Sequence, residues 1–369
     1  MFLKSINLIN FRNYQELFLS IEKPKLIILG DNSQGKTNLL EVVQLLSTGK
    51  SERASKDAQL VNFEAENAVL HAKILRENMN DLNIAMMLRR SGRRTLKINE
   101  VNLKPKEIRH KLYSVSFMVD DLSTVSGSPS IRRACLDNLL TQLFFPYAEH
   151  LSKFEKILSQ RNGFIKSCLE KGFSSNNLSS VLMEQLLIWD ELFINAANEI
   201  YKYRADLINK INPLIEANYQ KIAADKSSLH LEYTGKALSE IDLKNDHRLD
   251  FIRACTSHGP QRDDINFILK GQLAADFASQ GERRSIVLAL KLTEIELLKR
   301  EHSLNPILLL DDVLAELDES RQDHLLESIN DDTQVIITTT HLGKHLQKWS
   351  ENAQIINIKA GAIVDYAAN

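Results

Sequence analysis

The stretch "LIILGDNSQGKT", residues 26–37, decides the fold. Its second part matches the pattern G-x-x-x-x-G-K-[ST], with Gly30, Gly35, Lys36 and Thr37 at the fixed positions. A short apolar run precedes the pattern and "NLLEVVQLL" follows it, so the loop lies between a predicted strand and a predicted helix. Glycines let backbone N–H groups surround a phosphate, and the helix N-terminus adds a partial positive charge. The stretch therefore predicts a phosphate-binding loop for a nucleotide.

The bulk composition limits the class of protein. A chain of 369 residues exceeds the roughly 250–300 that one hydrophobic core supports, so we expect two domains. The formal net charge of −2 provides no overall attraction to nucleic acid, so any DNA-binding surface must be a local patch. The N-terminus shows no signal-peptide pattern, and no apolar stretch approaches the ~20 residues that span a bilayer. We therefore expect a cytoplasmic protein.

Strand-like sequence lies on both sides of a helical middle. Residues 2–29 and 67–101 contain alternating or continuously apolar runs, which are typical of strands. An amphipathic helix is predicted from Lys36 to Leu46. Two later runs, "PILLL" and "QVIITT", are short and apolar, as central parallel strands are. The pattern favours an α/β fold with a helical insertion.

The helical middle lies between "SGSPS" and residue 218. It contains apolar residues at alternating four- and three-residue spacing, as in a heptad pattern: Leu182, Leu186, Trp189, Phe193, Ala196, Ile200, Tyr203 and Leu207. Residues 131–162 form a second helical stretch that can face it. These features predict a short antiparallel helical arm, and an ordinary helical bundle explains them equally well.

The run "ILLLDD" predicts the second half of the nucleotide site. Asp311 ends a buried strand, where its carboxylate and the Thr37 hydroxyl suit Mg²⁺. Asp312 follows at the mouth of the strand, and we expect it to polarise the attacking water while Lys36 reaches the β- and γ-phosphates. Apolar strands that end in an acid are common in parallel sheets, so a structural role is the alternative.

The segment "FASQGERRSIVLALKL" lies upstream of the acidic strand. Ser279 and Glu282 have the spacing of a capping box, and Gly281 lies between them in the first turn of a predicted helix. The free N–H groups at such a helix start can accept an anion. A capped helix without a ligand explains the same spacing.

The order of these motifs resembles the ATP-binding-cassette (ABC) heads of SMC-like DNA repair proteins, and within that group the RecF family. The resemblance covers essentially the whole chain and rests on "NFRNY", "GKTNLLE", "GSPSIRRACLDNLL", "TSHGPQRDD", "SQGERR", "LLLDDVLAELD" and "ITTT". It implies an ABC-type P-loop ATPase head of mixed sheets plus helices, with an inserted short helical arm domain. The implied boundaries are 1–126 for the N-terminal part of the head, 127–226 for the helical arm, and 227–369 for the C-terminal part with the signature helix and the Walker B strand.

The resemblance also implies a shared site. In that family two heads dimerise with ATP between them, and the P-loop of one subunit faces the Ser–Gln–Gly helix of the other. It implies ATP and Mg²⁺ as cofactors, Asp312 and Lys36 as catalytic residues, and Thr37 and Asp311 as metal ligands. The implied nucleotide-binding residues are Arg12, Gly30, Asp31, Asn32, Ser33, Gln34, Gly35, Lys36, Thr37, Asn38, Ser279, Gly281, Asp318 and His341.

The implied role is ATP-dependent DNA binding in recombinational repair, replication and the SOS response. A weak, DNA-stimulated ATPase would act as a dimerisation switch at single-strand gaps or duplex junctions. The implied partners are duplex or gapped DNA, a second copy of the chain, and the RecO and RecR mediators that help to load the RecA recombinase; the implied location is cytoplasmic and nucleoid-associated. The alternatives are a P-loop phosphotransferase that acts as a monomer on a small acceptor, and the nucleotide-binding subunit of a transporter.

Several positions depart from the family pattern. Ser33 stands where the family has a second loop glycine, and a positive φ there would strain a serine. Glu282 and Gln261 replace an expected glutamine and histidine. The segment "SVSFMVDDL" contains no glutamine for the metal, so that ligand stays open. Thr340 and His341 are both candidates for the γ-phosphate sensor.

A basic turn is the candidate DNA contact. The segment "LRRSGRRTLK", residues 88–97, contains Arg89, Arg90, Arg93, Arg94 and Lys97. Clustered cations bind phosphates without regard to base sequence. A solvated hairpin tip is the alternative.

Overall fold

The structure, a computed structural model, describes residues 1–76, 80–329 and 332–367. The chain forms two compact units. Unit 1 comprises residues 1–122, 218–225 and 280–369, and unit 2 comprises residues 123–217 and 226–279. Unit 2 begins near the expected start of the inserted domain, at residue 127, and extends beyond its expected end at residue 226.

The secondary structure alternates strands and helices. The strands are β1 (Phe2–Phe11), β2 (Tyr14–Ser20), β3 (Lys25–Leu29), β4 (Asn67–Leu75), β5 (Leu82–Arg89), β6 (Thr95–Ile98), β7 (Val101–Leu103), β8 (Ser114–Met118), β9 (Leu229–Tyr233), β10 (Ile265–Leu269), β11 (Gln272–Leu273), β12 (Ile307–Asp311), β13 (Val335–Thr339), β14 (Ala353–Lys359) and β15 (Ala362–Ala367). The helices are α1 (Lys36–Thr48), α2 (Ser123–Ser126), α3 (Pro129–Leu143), α4 (Tyr147–Glu170), α5 (Ser180–Ala223), α6 (Glu240–Arg253), α7 (Ala274–Phe277), α8 (Gln280–His302), α9 (Glu319–Ser328) and α10 (Lys344–Ser350). Within the described ranges, no helix has the length and apolar character needed to cross a membrane.

A mostly parallel sheet positions the phosphate-binding loop in unit 1. Its strand order is β15-β14-β3-β13-β12-β8, and every neighbouring pair is parallel except β14 with β15. The apolar side chains of the central strands are buried, which explains their continuous hydrophobic sequence. Thr338 on β13 is in register with both Ile28 on β3 and Asp311 on β12. The carboxyl ends of three strands therefore meet at one edge, where ligands bind in open α/β sheets.

Helix α1 is buried more completely than the sequence predicts. Leu39, Leu40, Val43 and Leu46 form the expected apolar side, and Val42 and Leu45 are also fully buried. A single hydrophobic core contains α1 and strands of both six-stranded sheets, the second being antiparallel with the order β2-β1-β4-β5-β6-β7. The predicted amphipathic helix is therefore an interior helix, because two layers cover it.

Unit 2 contains a separate sheet, which corrects one expected boundary. Strands β9, β10 and β11 form a three-stranded antiparallel sheet of their own. Residues 227–279 therefore do not join the sheets of the head as expected. Arg132 on α3 donates to both carboxylate oxygens of Asp264 at 2.7 and 2.8 Å. This bidentate pair ties the loop before β10 to the helices of unit 2.

Three of the helices of unit 2, α4, α5 and α6, pack together. The rings of Phe154 on α4 and Phe193 on α5 lie 5.7 Å apart, and Phe251 on α6 joins Leu186 of α5 in one cluster. Helix α6 was not predicted, although Ser239 and its N3 residue form a capping box. The predicted stretch 131–162 is two helices, α3 and α4, separated at Phe144–Pro146. Of the two interpretations of this region, the described contacts favour the bundle.

Candidate nucleotide-binding site

The phosphate-binding loop holds Lys36 inside the protein. Its Nζ donates to the carbonyl oxygens of Gly30 at 2.7 Å and Asp31 at 3.1 Å, and the side chain is only 4% exposed. The loop ends at Gly35, whose φ is +112°. A Cβ at Gly35 would lie 2.6 Å from Nδ2 of Asn13 and 2.9 Å from the Tyr14 hydroxyl. Only glycine fits this position without displacing its neighbours.

Ser33 occupies a strained backbone position. Its φ is +64°, in the left-handed region that favours glycine. Ser33 therefore has the positive φ at which a serine in place of the family's glycine is strained. The loop retains the conformation because neighbouring segments hold it, since Gln34 accepts hydrogen bonds from the backbone N–H groups of Ala360 at 2.6 Å and Gly361 at 3.2 Å.

Two residues of the "NFRNY" stretch support the loop, and sequence reasoning missed their role. Asn13 donates to the carbonyl oxygen of Gln34 at 2.9 Å and accepts from Nδ2 of Asn38 at 2.8 Å. The buried hydroxyl of Tyr14 donates to the carbonyl oxygen of Gly35 at 2.8 Å. The stretch is a motif of the family, but its hydrogen-bond partners Gln34 and Gly35 lie about twenty residues away along the chain. The sequence therefore does not connect the two segments.

Thr37 and Asp311 meet, as the predicted metal site requires. Thr37 Oγ1 donates to Asp311 Oδ1 at 3.0 Å, and Thr338 Oγ1 donates to the same oxygen at 2.7 Å. Burial raises the pKa of Asp311, the adjacent Asp312 carboxylate raises it further, and the two threonine hydrogen bonds oppose the shift. Thr338 is a site residue that sequence reasoning did not single out, although it lies in the quoted "ITTT" stretch.

The donors around Asp311 suit Mg²⁺. They are a carboxylate and a hydroxyl, which are hard oxygen ligands of the kind that Mg²⁺ takes from proteins. Within the described residues no group of three or more His, Cys, Asp or Glu side chains could hold a metal ion by itself.

Asp312 lies beside the lysine at the same edge of the sheet. Its backbone is left-handed, with φ of +52°, and its N–H donates to the carbonyl oxygen of Thr338 at 3.2 Å. Its Oδ2 lies 3.9 Å from Lys36 Nζ, and the side chain is 33% exposed. Asp312 is thus placed at the mouth of the strand, as predicted, with a carboxylate that solvent reaches.

The strand β8 ends next to Asp311. The family pattern predicts a metal-binding glutamine in this segment, which here contains none. Met118, the last residue of β8, is in register with Asp311. Beyond it, Asp121 Oδ2 accepts from the Met118 N–H at 2.7 Å, and Lys291 on α8 lies 3.5 Å from the same carboxylate. Asp121 is therefore engaged within the chain, and the identity of this metal ligand stays open.

Arg12 is engaged by an acid on α1. Its guanidinium donates to both carboxylate oxygens of Glu41, at 2.9 and 2.7 Å, and to the carbonyl oxygen of Gln59 at 2.8 Å. Glu41 is fully buried, one turn after Thr37 on the same helix. The predicted nucleotide contact of Arg12 stays a prediction.

The predicted signature segment is built around a residue that sequence reasoning missed. Helix α8 begins at Gln280, directly after Ser279. Ser285 Oγ donates to the carbonyl oxygen of Gly281 at 3.2 Å and accepts from Nε of Arg321 at 2.8 Å. Arg321 also forms an ion pair with Asp318. The structure thus brings Gly281 and Asp318 to one arginine.

The two sensor candidates follow β13. Thr340 Oγ1 and His341 Nδ1 are 3.0 Å apart, and Thr339 Oγ1 donates to the His341 carbonyl oxygen at 3.0 Å. Both Thr340 and His341 are exposed. They extend from the strand that carries Thr338, so the choice between them stays open.

Comparisons with known proteins agree with this geometry. The sequence model described as RecF/RecN/SMC N terminal domain matches residues 2–363. A DNA replication and repair protein RecF from Gloeobacter violaceus is 39% identical, over 98% of this chain and 98% of that protein. Another from Thermosynechococcus vestitus is 37% identical, over 98% of this chain and 97% of that protein.

Solved structures give the same result. A structure of the recombination mediator protein RecF-ATP in the RecFOR pathway has a TM-score of 0.88 and 29% identity, and covers 100% of this chain and 98% of that chain. An SMC head bound to the C-winged helix domain of ScpA has a TM-score of 0.56 and 16% identity, over 98% of this chain and 96% of that chain. The second likeness concerns the fold alone.

Fold and site together define an ABC-type ATPase head of the SMC class, so the predicted head of mixed sheets and helices is confirmed. The chain belongs to the RecF family of DNA replication and repair proteins. The resemblance drawn from the motifs is thereby confirmed, as is the predicted role in repair. The phosphotransferase and transporter alternatives receive no support from these relatives.

Proposed function

We propose that this protein binds ATP and DNA in recombinational repair, dimerises when ATP binds, and separates after slow hydrolysis. The observation that carries the proposal is the 3.0 Å hydrogen bond from Thr37 on α1 to Asp311 at the end of β12. It joins two segments that are far apart in sequence into one site beside the buried Lys36. The relatives named RecF, one of them in a structure named RecF-ATP, support the nucleotide and the pathway.

Each residue of the site has a distinct task. Lys36 exchanges its two carbonyl contacts for the β- and γ-phosphate oxygens, and the loop N–H groups surround the phosphates. Thr37 and Asp311 would hold Mg²⁺, and the ion would neutralise charge on the phosphate oxygens. Asp312 orients the attacking water and accepts its proton, because its exposed carboxylate lies at the mouth of the strand.

The dimer uses the signature segment of a second copy. Ser279 and Gly281 donate from the start of α8 to the γ-phosphate of the partner's ATP, and Asp318 lies at the interface. The γ-phosphate then contributes contacts in two subunits. Its loss on hydrolysis removes the differential affinity that holds them together, so ATP acts as a timer for DNA binding.

The basic turn contributes fewer cations to DNA than its sequence indicates. Arg94 pairs with Asp57 and donates to the Gly49 carbonyl oxygen at 2.7 Å. Arg90 donates to two backbone carbonyl oxygens, at 2.6 and 3.0 Å. Arg93 and Lys97 stay exposed, so they are the cations of this turn that we assign to DNA phosphates. The RecO and RecR mediators are the proposed protein partners, as the RecFOR pathway of the solved relative suggests.

Analytical ultracentrifugation tests the proposal, with and without Mg-ATP and with and without gapped duplex DNA. We expect a monomer without nucleotide, a dimer with ATP, and a stronger dimer when DNA is present. The Asp312→Asn variant should hydrolyse ATP about 100-fold more slowly and accumulate as the ATP dimer. Ser279→Arg should bind ATP and stay monomeric.

Two results would count against the proposal. A wild-type protein that stays monomeric at saturating ATP would contradict the dimerisation switch. An Asp312→Asn variant that is monomeric with ATP would remove Asp312 from its assigned role. The phosphotransferase alternative makes the opposite prediction, because its turnover per molecule would not rise with protein concentration.

A further inference from the structure

Arg321 lies where two segments of unit 1 meet, the start of α8 and the loop that contains Asp318. It belongs to the first turn of α9, and Asp318 is the N-cap residue of that helix. Asp318 Oδ1 accepts from the backbone N–H of Arg321 at 2.9 Å, and its Oδ2 pairs with the guanidinium Nη1. One edge of the guanidinium is thereby fixed to the loop that contains Asp318.

A second edge of the same guanidinium is fixed to α8. Arg321 Nε donates to Ser285 Oγ at 2.8 Å, and Ser285 Oγ donates in turn to the carbonyl oxygen of Gly281 at 3.2 Å. Ser285 is fully buried, whereas the Arg321 side chain is 25% exposed, so the relay is shielded from water at its serine. Arg321 therefore connects Asp318 to the first turn of α8 through hydrogen bonds at separate nitrogens.

The guanidinium also occupies the space beside Gly281. A Cβ at Gly281 would lie 3.2 Å from Nη2 of Arg321, and 3.6 Å from both Cζ and Nη1. An alanine there would require the guanidinium to shift by a few tenths of an ångström. Arg321 is therefore packed closely against the first turn of α8.

The electrostatics argue against a role in stabilising α8 itself. The N-terminus of a helix carries a partial positive charge, which favours an acid rather than a cation in the first turn. Arg321 opposes that preference, and Asp318 offsets the cost only in part because its carboxylate is 52% exposed. Arg321 therefore fixes the positions of α8 and the Asp318 loop, and does not stabilise α8 through its helix dipole.

We propose that Arg321 is a positioning residue that holds the Asp318 loop and the first turn of α8 as one rigid surface for the partner's ATP. This inference rests on the proposed ATP-dependent dimer. A preorganised surface loses less conformational freedom on docking, so its affinity for the partner is higher. Arg321 should affect the docking of two subunits, and leave the ATP affinity of its own P-loop unchanged.

The first experiment compares Arg321→Ala and Arg321→Lys with the wild type. ATP affinity of the monomer, measured with a fluorescent ATP analogue, should stay within about twofold, while dimerisation should weaken by about tenfold for alanine. Lysine has one nitrogen and reaches one of the two partners, so it should be intermediate. Arg300→Ala is the matched control, because Arg300 is an exposed arginine of α8 that pairs with Glu296. An alanine variant that dimerises normally would overturn the proposal.

The second experiment separates the two faces of the head. Arg321→Ala mixed with Lys36→Met forms a heterodimer in which one composite site has both an intact P-loop and an intact Arg321. Mixing should therefore restore ATPase activity to at most about half of the wild type, when each variant alone has little. Ser279→Arg mixed with Lys36→Met measures the recovery expected of any defect on the signature face.

The mixtures distinguish the two proposals. Recovery with Ser279→Arg but not with Arg321→Ala would show that Arg321 acts on its own P-loop, and would overturn the positioning role. Recovery in neither mixture would contradict the composite site of the proposed function, and the positioning role would be lost with it. Recovery in both, with unchanged melting temperatures of the single variants, is the expected result.

Discussion

Two buried cations, one in each unit, have opposite surroundings. Lys36 in unit 1 donates to the carbonyl oxygens of Gly30 and Asp31, and the carboxylate of Asp312 is 3.9 Å away. Arg161 in unit 2 is fully buried and donates to three side chains: Asp190 at 3.0 Å, Asp250 at 2.7 Å and Thr256 at 2.7 Å.

The difference separates a binding cation from a structural one. A buried charge is costly unless carboxylates and hydrogen bonds compensate it. The positive charge of Arg161 is neutralised by two carboxylates, those of Asp190 and Asp250, so no positive potential remains to attract an anionic ligand. Lys36 has carbonyl dipoles and one acid beyond hydrogen-bonding distance, so positive potential remains for phosphate. Burial alone does not identify a functional cation; the pairing of its charge does.

The largest effect should follow the loss of the compensated cation. Arg161→Met removes the cation that neutralises two buried carboxylates, and leaves Asp190 with the His247 ring and Asp250 with the Ser257 N–H. It should lower the free energy of unfolding by about 3–5 kcal/mol. Urea denaturation followed by circular dichroism measures the change. Lys166→Met on the exposed side of α4 is the control and should change stability by less than about 0.5 kcal/mol. If Arg161→Met were as stable as the control, its carboxylates would not need it.

The binding cation should show the reverse behaviour. Lys36→Met should weaken ATP binding by about 100-fold, or about 3 kcal/mol, because charge-assisted phosphate contacts are lost. Its free energy of unfolding should change by less than about 1 kcal/mol, since no buried acid loses a partner at hydrogen-bonding distance. Isothermal titration calorimetry measures the affinity, with Lys50→Met, at an exposed position two residues after α1, as the control. Undiminished ATP affinity would place the phosphates elsewhere.

The comparison extends to carboxylates. Asp311 accepts only from hydroxyls, those of Thr37 and Thr338, whereas Asp250 neutralises an arginine. Asp311→Asn keeps an oxygen for both threonines and removes the charge for Mg²⁺. It should lower the ATP affinity in the presence of Mg²⁺ by about tenfold and leave the affinity in EDTA unchanged. Equal losses in both buffers would show that Asp311 acts on the fold rather than on the ion.

The smallest effect concerns backbone strain at the binding site. Ser33→Gly relieves the left-handed conformation at φ of +64°, and the gain is partly offset by the greater freedom of glycine in the unfolded chain. The variant should be about 0.5 kcal/mol more stable, and differential scanning fluorimetry should show a rise of about one degree. Ser91→Gly, at an exposed turn position without positive φ, should not be more stable than the wild type. A destabilised Ser33→Gly would mean that the serine side chain stabilises the loop.

Local chemistry explains why part of the site was predictable. The loop from Gly30 to Thr37 and the acid at position 311 each lie at a strand end, and their spacing depends on backbone geometry within a few residues. The helix start near Ser279 was predictable for the same reason, and α8 begins one residue later. Helix α6 was not predicted although the sequence contains its capping box, Ser239 and Asp242, because no functional motif accompanies that segment.

The remaining contacts join residues that are far apart in the chain. Arg90, Arg93 and Arg94 lie within one five-residue segment. Only the folded chain decides that Arg90 and Arg94 contact Asp57 and nearby carbonyl oxygens. Arg321 reaches Ser285 across 36 residues, and no local pattern connects them.

The sequence by itself determined the nucleotide loop, the acidic strand end, the family and the role in repair. The tertiary structure decided which charges are neutralised internally and which remain for ligands. The reason is physical: a motif specifies backbone conformation over one turn or strand end, whereas the pairing of a charge depends on every segment that packs against it.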